Sequence, residues 1–473
     1  MIQEDFLCLS PFIIVAGTPV LLMLVIAFTR HFRILFGISL VGLSFALLSV
    51  YFLLPVLPHT LGQLFIFDGF SILFFGLIIF TSLLITILSY RYVMYQDSEK
   101  EEFLIMLFTA VLGSLILAAS ANFATLFLGL ETLSISLYVL IAYRRSRGNS
   151  IEASVKYLIL ASVSSAFLLF GMGLIYAGTG SLEFTRIGQV LHSADYSTPL
   201  LLAGFSMMLV GIGFKLALVP FHMWTPDVYQ GAPVPVTTFI ATVSKGAVMA
   251  FLLRFFKEIQ GNQNHNFILM ITVIALLSMF TGNLLAIRQR NVKRILAYSS
   301  IANMGYLLVT LLVSNTEGLQ AAVFYIVSYM VTTLGAFGVI NLLASRDHDA
   351  DDLEDYRGLF WKHPSIALVF TLALLSLAGI PLTAGFIGKF YLVFTGIHSG
   401  LWLLVTGLIL NSVIGLYYYL RVISTLFSPV NAIMFPGFGV ADRIVLGFTA
   451  LGIVWLGIFP GGFLRMIAHF TGL

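Results

Sequence analysis

The sequence predicts an all-α polytopic membrane protein of about fourteen transmembrane helices, two of them broken, arranged around two inverted five-helix repeats. Three observations predict it. Only 10% of the residues are charged and 59% are hydrophobic, whereas soluble domains carry about 25% charged residues. Apolar stretches of about 18 residues or more recur along the whole chain, each long enough to cross the hydrocarbon layer as a helix. These stretches are continuous, unlike the alternating segments of about ten residues that build a spanning barrel.

The elements follow in order. The N-terminal MIQEDFLCLSPF begins acidic and has neither a basic segment nor a small-residue cleavage site, so it does not read as a signal peptide. Hydropathy places spans at 11–28, 33–54 and 68–90, an N-terminal unit within residues 1–100. Spans at 102–119, 122–143, 154–178, 199–222 and 233–256 form a first repeat within 101–258. Spans at 266–287, 294–313, 319–344, 364–396 and 400–426 form a second within 259–427, and a last span at 443–464 lies within 428–473. The repeats rest on two interruptions. Pro220 breaks the seventh span, in GFKLALVPFHMWTPDV, and Pro381 breaks the twelfth, with Gly379, Gly385, Gly388 and Gly396 around it. Proline donates no backbone hydrogen bond and frees a carbonyl one turn earlier. Such freed groups must be buried in protein or face water. The two breaks lie five helices apart, and an odd offset reverses direction across the membrane, the pattern of inverted repeats around an ion pathway.

Basic residues orient the chain. With the N-terminus outside, 17 of the 24 Lys and Arg fall in inside loops, four (Arg186, Arg254, Lys257, Arg465) fall outside, and Lys215, Lys245 and Lys389 fall within spans. The positive-inside rule then puts both termini on the outer side. The loop 345–363 carries six carboxylates and reads as a solvated inside loop, with a subunit contact as the alternative.

Redox chemistry within the chain is not expected. Cys8 is the only cysteine, too few for an internal disulfide or for a cluster that usually takes four thiolates. Only His222 of nine histidines lies deep in an apolar run, which argues against a haem held in the membrane by two histidines. The glycine pairs at 171–173 and 211–213 lie in spans and follow no strand, so they read as close helix packing rather than dinucleotide binding. No cofactor and no metal are expected in this chain, and no nucleic acid as partner.

Four buried charges carry the functional signal. A charge in the hydrocarbon costs at least ~2.5–3.5 kcal/mol, yet Glu131, Lys215, Lys245 and Lys389 lie within spans. A packing ion pair would explain one glutamate and one lysine. It cannot explain three lysines sharing one glutamate. Burial disfavours an ammonium ion, and a lysine that can lose and regain its proton in a wet cavity is a proton relay. His222 follows Pro220 by two residues, and its unperturbed pKa of about 6.5 suits a proton shuttle; a satisfied core histidine is the alternative. Ser134, Ser162, Ser164, Ser165, Thr242, Ser244, Tyr325, Ser328 and Thr332 could hydrate a route, although hydroxyls also pack membrane helices. Lys156 and Lys293 stand at span heads as secondary candidates, with snorkelling as the bland reading.

Long segments now carry a resemblance. GFKLALVPFHMWTPDVYQGAPVPVTTFIATVSK, KRILAYSSIANMGY, DLEDYRGL and LAGIPLTAGFIGKFY resemble the antiporter-like membrane subunits of respiratory complex I, over roughly residues 100–395. LGLETLSISLYVL with WTPDVYQGAP is most similar to the N-type branch in bacterial NADH:quinone oxidoreductase. The resemblance implies a proton-translocating subunit in a bacterial inner membrane. It implies partner subunits that hold FMN and iron–sulfur centres and pass electrons from NADH to a quinone such as ubiquinone. It carries over Glu131 as partner of Lys215, Lys245 as central lysine, Lys389 as terminal lysine and His222 in its PFH context. The relatives include subunits of multi-subunit cation/proton antiporters and membrane-bound hydrogenases, which fold alone does not separate.

Overall fold

The computed structural model describes residues 2–94, 100–144, 147–193, 199–261, 264–313, 316–345, 348–429 and 439–472. Two basic residues of the orientation count, Arg145 and Arg346, lie outside them. The apolar runs become α1 (Ile2–Phe28), α2 (Phe32–Leu53), α3 (Gly69–Met94), α4 (Glu101–Ala119), α5 (Phe123–Ile141) and α6 (Gly148–Thr179). Next come α7 (Phe184–Ser193), α8 (Pro199–Leu216), α9 (Trp224–Gly231), α10 (Val234–Phe239), α11 (Lys245–Glu258), α12 (His265–Ile287) and α13 (Val292–Leu307). The chain ends with α14 (Thr316–Leu343), α15 (Leu359–Lys362), α16 (Pro364–Ala378), α17 (Ala384–His398), α18 (Trp402–Leu426), α19 (Val440–Ile458) and α20 (Pro460–Thr471).

Thirteen helical segments among the described residues are long and apolar enough to cross a membrane. The expected twelfth span, 364–396, is the broken pair α16 and α17. Four span boundaries move by six residues or more. The first helix starts at Ile2, α6 starts at Gly148, α8 stops at Leu216, and the expected 443–464 span divides at Phe459, where Pro460 opens α20. A short hairpin that the apolar pattern did not announce, β1 (His59–Leu61) against β2 (Phe65–Phe67), pairs His59 with Phe67.

Local chemistry sets the helix ends. Asn122, Asn264 and Asn291 cap α5, α12 and α13 through their side-chain oxygens. Gly180 and Gly379 end α6 and α16 with positive φ. The layers follow from burial. The span Val234–Glu258, α13 and α14 lie almost wholly inside the protein, whereas only about a third of a membrane-length stretch is buried in each of α1, α2, α6 and α12. Leu24, Phe45, Val163 and Leu269 are exposed there, as lipid contact requires. Small residues let the helices approach: a Cβ at Gly171 would stand 2.6 Å from the Gly204 carbonyl oxygen, and one at Gly211 would strike Leu168.

Arg254 corrects the orientation count. It belongs to the body of α11, not to a loop, and is buried. Its guanidinium donates to both oxygens of Asp68, at 2.9 and 2.8 Å, and to Ser71 Oγ at 2.7 Å. Asp68 also accepts from the Ser71 N–H at 2.8 Å, at the head of α3. The pair therefore fastens α3 to α11 by the fork geometry that favours arginine.

Candidate functional site: a buried lysine series

Two broken helices and one π-helical turn position the three lysines. Lys215 lies in the last turn of α8, before the break at 217–223 that holds Pro220. Ala217 adopts φ +61° there, a left-handed conformation that strains an L-residue. The break hides its polar groups inside the protein. The Trp224 indole donates to the Phe214 carbonyl at 2.9 Å, and the Val219 N–H donates to Ser278 at 3.0 Å. The Lys215 ammonium donates to Ser134 Oγ on α5 at 2.6 Å and stands 5.4 Å from the Tyr157 ring centroid. Glu131, one turn from Ser134 on the same helix, is half-buried and accepts from Ser165 Oγ at 2.6 Å. Each member of the expected Glu131–Lys215 pair thus holds a serine, and no direct ion pair joins them among the described residues.

Lys245 opens α11 directly after the π-helical turn Ile240–Ser244. Such a turn inserts an extra residue and re-aims the side chains that follow. Lys245 is 1% exposed. Its ammonium donates to Ser300 Oγ at 2.6 Å, and that hydroxyl also meets Tyr329 at 2.6 Å and Tyr229 at 3.3 Å. Among the described residues, no carboxylate is its partner.

Lys389 is solved differently. In the second break, Gly379 (φ +85°), Leu382 (φ +69°) and Pro381 separate α16 from α17. The last carbonyls of α16 have no intrahelical partner. Lys389 donates to two of them, Leu377 at 2.9 Å and Ala378 at 3.1 Å, and to Ser412 Oγ at 3.0 Å. A helix C-terminus carries partial negative charge, so the break itself is the counter-charge of this buried cation. The geometry depends on Gly385, where a Cβ would overlap the Ser376 carbonyl oxygen. Gly385→Ala is expected to destabilise the protein by about 1–3 kcal/mol, as overpacking does. Thermal unfolding of the purified protein reads it, with Gly17→Ala, which meets nothing within 4 Å, as control.

One helix runs past two of these sites. Along α13, Ser300 meets Lys245, Ser299 meets Tyr419, Asn303 accepts from Tyr325 at 2.6 Å, and Tyr306 lies 5.1 Å beneath Lys389. Tyr306 also meets Asn283 at 2.9 Å, and Tyr418 donates to Asn283 at 3.0 Å. The six helical steps from Ser300 to Tyr306 span about 9 Å. This polar stripe within an otherwise apolar core was missed by the sequence reading, apart from Tyr325. Its signal lay in SSIANMGY, where polar groups recur at helical spacing.

The other candidates separate. His222 is buried in the first break, its Nδ1 has no hydrogen-bond partner, and no side-chain hydrogen bond joins it to a lysine. Lys156 is exposed and pairs with Glu152 at 2.8 Å and Asp227 at 3.0 Å. Lys293 corrects the snorkelling reading: it is 0% exposed and pairs with Asp349 at 2.9 Å and Asp351 at 3.2 Å. The loop 345–363 is corrected with it. Asp349 is buried between Lys293, Arg144 and Arg147, so part of that acidic run is interior structure rather than a solvated strand of charge. Burial alone would push its carboxyl up, but the three cations outweigh it and hold the carboxyl below the usual carboxylate range.

Residues 120–415 match the family model described as NADH:quinone oxidoreductase/Mrp antiporter, transmembrane. A chain of respiratory complex I from Thermus thermophilus is 33% identical, with TM-score 0.84 over 97% of this chain and 99% of that one. A chain of the membrane-bound sulfane sulfur reductase, an archaeal respiratory membrane complex, is 24% identical, with TM-score 0.86 over 100% and 97%. A chain of the Mrp complex from a Dietzia species is 18% identical, with TM-score 0.85 over 100% and 97%. The latter two share the fold. With more than half of its length matched by the family model, this chain belongs to the NADH:quinone oxidoreductase/Mrp antiporter family of antiporter-like membrane subunits.

Proposed function

We propose that this chain is the N-type, proton-translocating membrane subunit of a bacterial NADH:quinone oxidoreductase. It works beside partner subunits that carry electrons from NADH through FMN and iron–sulfur centres to a quinone. One observation carries the reading. Lys245 and Lys389 are buried, meet only neutral oxygens among the described residues, and both lie against α13, at Ser300 and Tyr306. A purely structural ammonium is normally paired with a carboxylate, because an unpaired buried charge is expensive. A lysine held by hydroxyls and carbonyls can exist in either protonation state.

In this reading Glu131 holds Lys215 charged from across the serines Ser134 and Ser165. A shift of that pair drives a proton towards Lys245, through water and His222. Ser300 and the α13 hydroxyls pass it to Lys389, which releases it on the far side. Lys156 and Lys293 serve uptake on the inner face. The two breaks at Pro220 and Pro381 are corresponding points of inverted repeats, and both termini lie on the periplasmic side of the inner membrane. A cation/proton antiporter subunit is the competing reading. A sodium ion prefers carboxylate and carbonyl oxygen, and three lysines beside one glutamate suit it poorly.

The test is purification of the tagged chain with whatever assembles around it, followed by NADH:quinone activity and proton uptake in proteoliposomes. Flavin and iron–sulfur subunits are expected to co-purify. Isolation without any redox partner, together with growth rescue of a salt-sensitive antiporter-deficient strain, would overturn it.

A further inference from the structure

No hydrogen-bonded chain of described side chains joins Lys215 to Lys245. The helices that carry their partners are nevertheless tied together elsewhere, at one buried carboxylate. Asp349 Oδ1 accepts from Arg144 at 3.0 Å and from the Tyr92 hydroxyl at 3.2 Å. Its Oδ2 meets Arg147 at 3.0 Å and Lys293 at 2.9 Å. Arg144 and Arg147 belong to the connection that leaves α5, the helix of Glu131 and Ser134. Lys293 lies in the first turn of α13, the helix of Ser300 and Tyr306. Tyr92 closes the group from α3.

Electrostatics makes the carboxylate necessary at this place. A helix N-terminus carries partial positive charge, so the Lys293 ammonium at the head of α13 is on the wrong end of the dipole. Asp349, with Asp351 at 3.2 Å, is what makes a fully buried lysine tolerable there. Backbone bonds reinforce the seat: the Val292 N–H donates to the Asp351 carbonyl at 2.6 Å, and the Leu353 N–H to that of Arg290 at 3.2 Å. The arginines cannot lose their protons, so Asp349 faces two fixed cations besides Lys293.

We propose that Asp349 is a positioning residue that holds the α5 connection and the head of α13 in register, and so couples the Glu131–Lys215 end of the lysine series to Lys245 and Lys389. The assignment rests on the proton-translocating reading above. Ser300 stands seven residues beyond Lys293, about 10 Å along a single rigid helix. A displacement at the head of α13 therefore reaches the Ser300 hydroxyl that accepts from Lys245 and the Tyr306 ring beneath Lys389 together.

The experiment compares wild type, Asp349→Asn, Asp349→Glu and Lys245→Ala in the purified complex, in proteoliposomes with NADH and quinone. The readout is protons taken up per electron, beside the amount of complex assembled. Asp349→Asn is expected to lose proton uptake per electron while electron transfer continues, and Asp349→Glu to restore it. A residue of purely structural importance would lower the yield of complex and leave that ratio unchanged; an unchanged ratio in assembled Asp349→Asn overturns the assignment. Should Asp349→Asn fail to assemble, Arg147→Gln, at the more exposed side of the cluster, is read the same way, and a wild-type ratio there overturns it equally. If Lys245→Ala keeps full uptake, the lysine-series reading falls whatever Asp349 does. If Lys245→Ala abolishes uptake and Asp349→Asn does not, only the role of Asp349 falls.

Discussion

Lys245→Ala is expected to lower proton translocation by about a hundredfold, the lower end of what a positioned proton-transfer group contributes. The side chain is 1% exposed and its ammonium has one side-chain hydrogen bond, to Ser300. Alanine leaves Ser300 facing Tyr329 and Tyr229 with no titratable amine beside it. Lys245→Arg separates two explanations. Arginine keeps the positive charge but cannot release its proton. If charge alone mattered, Lys245→Arg would translocate like wild type; if proton exchange at this position matters, it fails with alanine. Proton uptake in proteoliposomes, normalised to NADH oxidised, decides between them.

Asp68→Ala is expected to destabilise the protein by about 3–5 kcal/mol, because it strands the buried Arg254 guanidinium. Loss of the α3 cap adds about 1 kcal/mol. The double variant Asp68→Ala, Arg254→Met should recover most of the loss, since no uncompensated charge then remains. Thermal unfolding of wild type, both single variants and the double variant reads the cycle; a double variant as unstable as Asp68→Ala would show that the charge pair is not the cause. Acid gives an independent check. Burial alone would push the Asp68 carboxyl up, but Arg254 and Ser71 outweigh it and hold the carboxyl below its ordinary value. A carboxyl lowered in the folded state contributes stability that is complete above the unfolded pKa, about 3.9. That contribution is lost as pH falls through the lower folded value. The stability gap between wild type and Asp68→Ala should therefore be constant near neutrality and narrow only below about pH 4.

The division between sequence and structure shows in particular residues. Lys215, Lys245 and Lys389 were legible because a charge inside an apolar run violates a strong energetic rule, and a violation can be seen without knowing any neighbour. The breaks at Pro220 and Pro381 were legible for the same reason, since proline cannot complete a helix ladder. Lys293 and Arg254 were misplaced. Each stands near the end of an apolar run, where one-dimensional hydropathy cannot distinguish a snorkelling cation from a buried one. Asp349 and Asp68, the partners that decide the matter, lie 56 and 186 residues away in the chain.

By itself the sequence determined the fold class, the number of membrane spans, most of their boundaries, the two interruptions and the three lysines that lie within spans. These follow from composition, period and backbone chemistry, which act locally. Only the tertiary structure decided what surrounds each lysine: Ser134 for Lys215, Ser300 for Lys245, and the open carbonyls of α16 for Lys389. It also decided that α13 runs past two of them and that Asp349 sits at its head. Serine, tyrosine and asparagine are unremarkable in a membrane helix until a buried ammonium is brought against them, and that meeting depends on contacts between segments far apart in the chain.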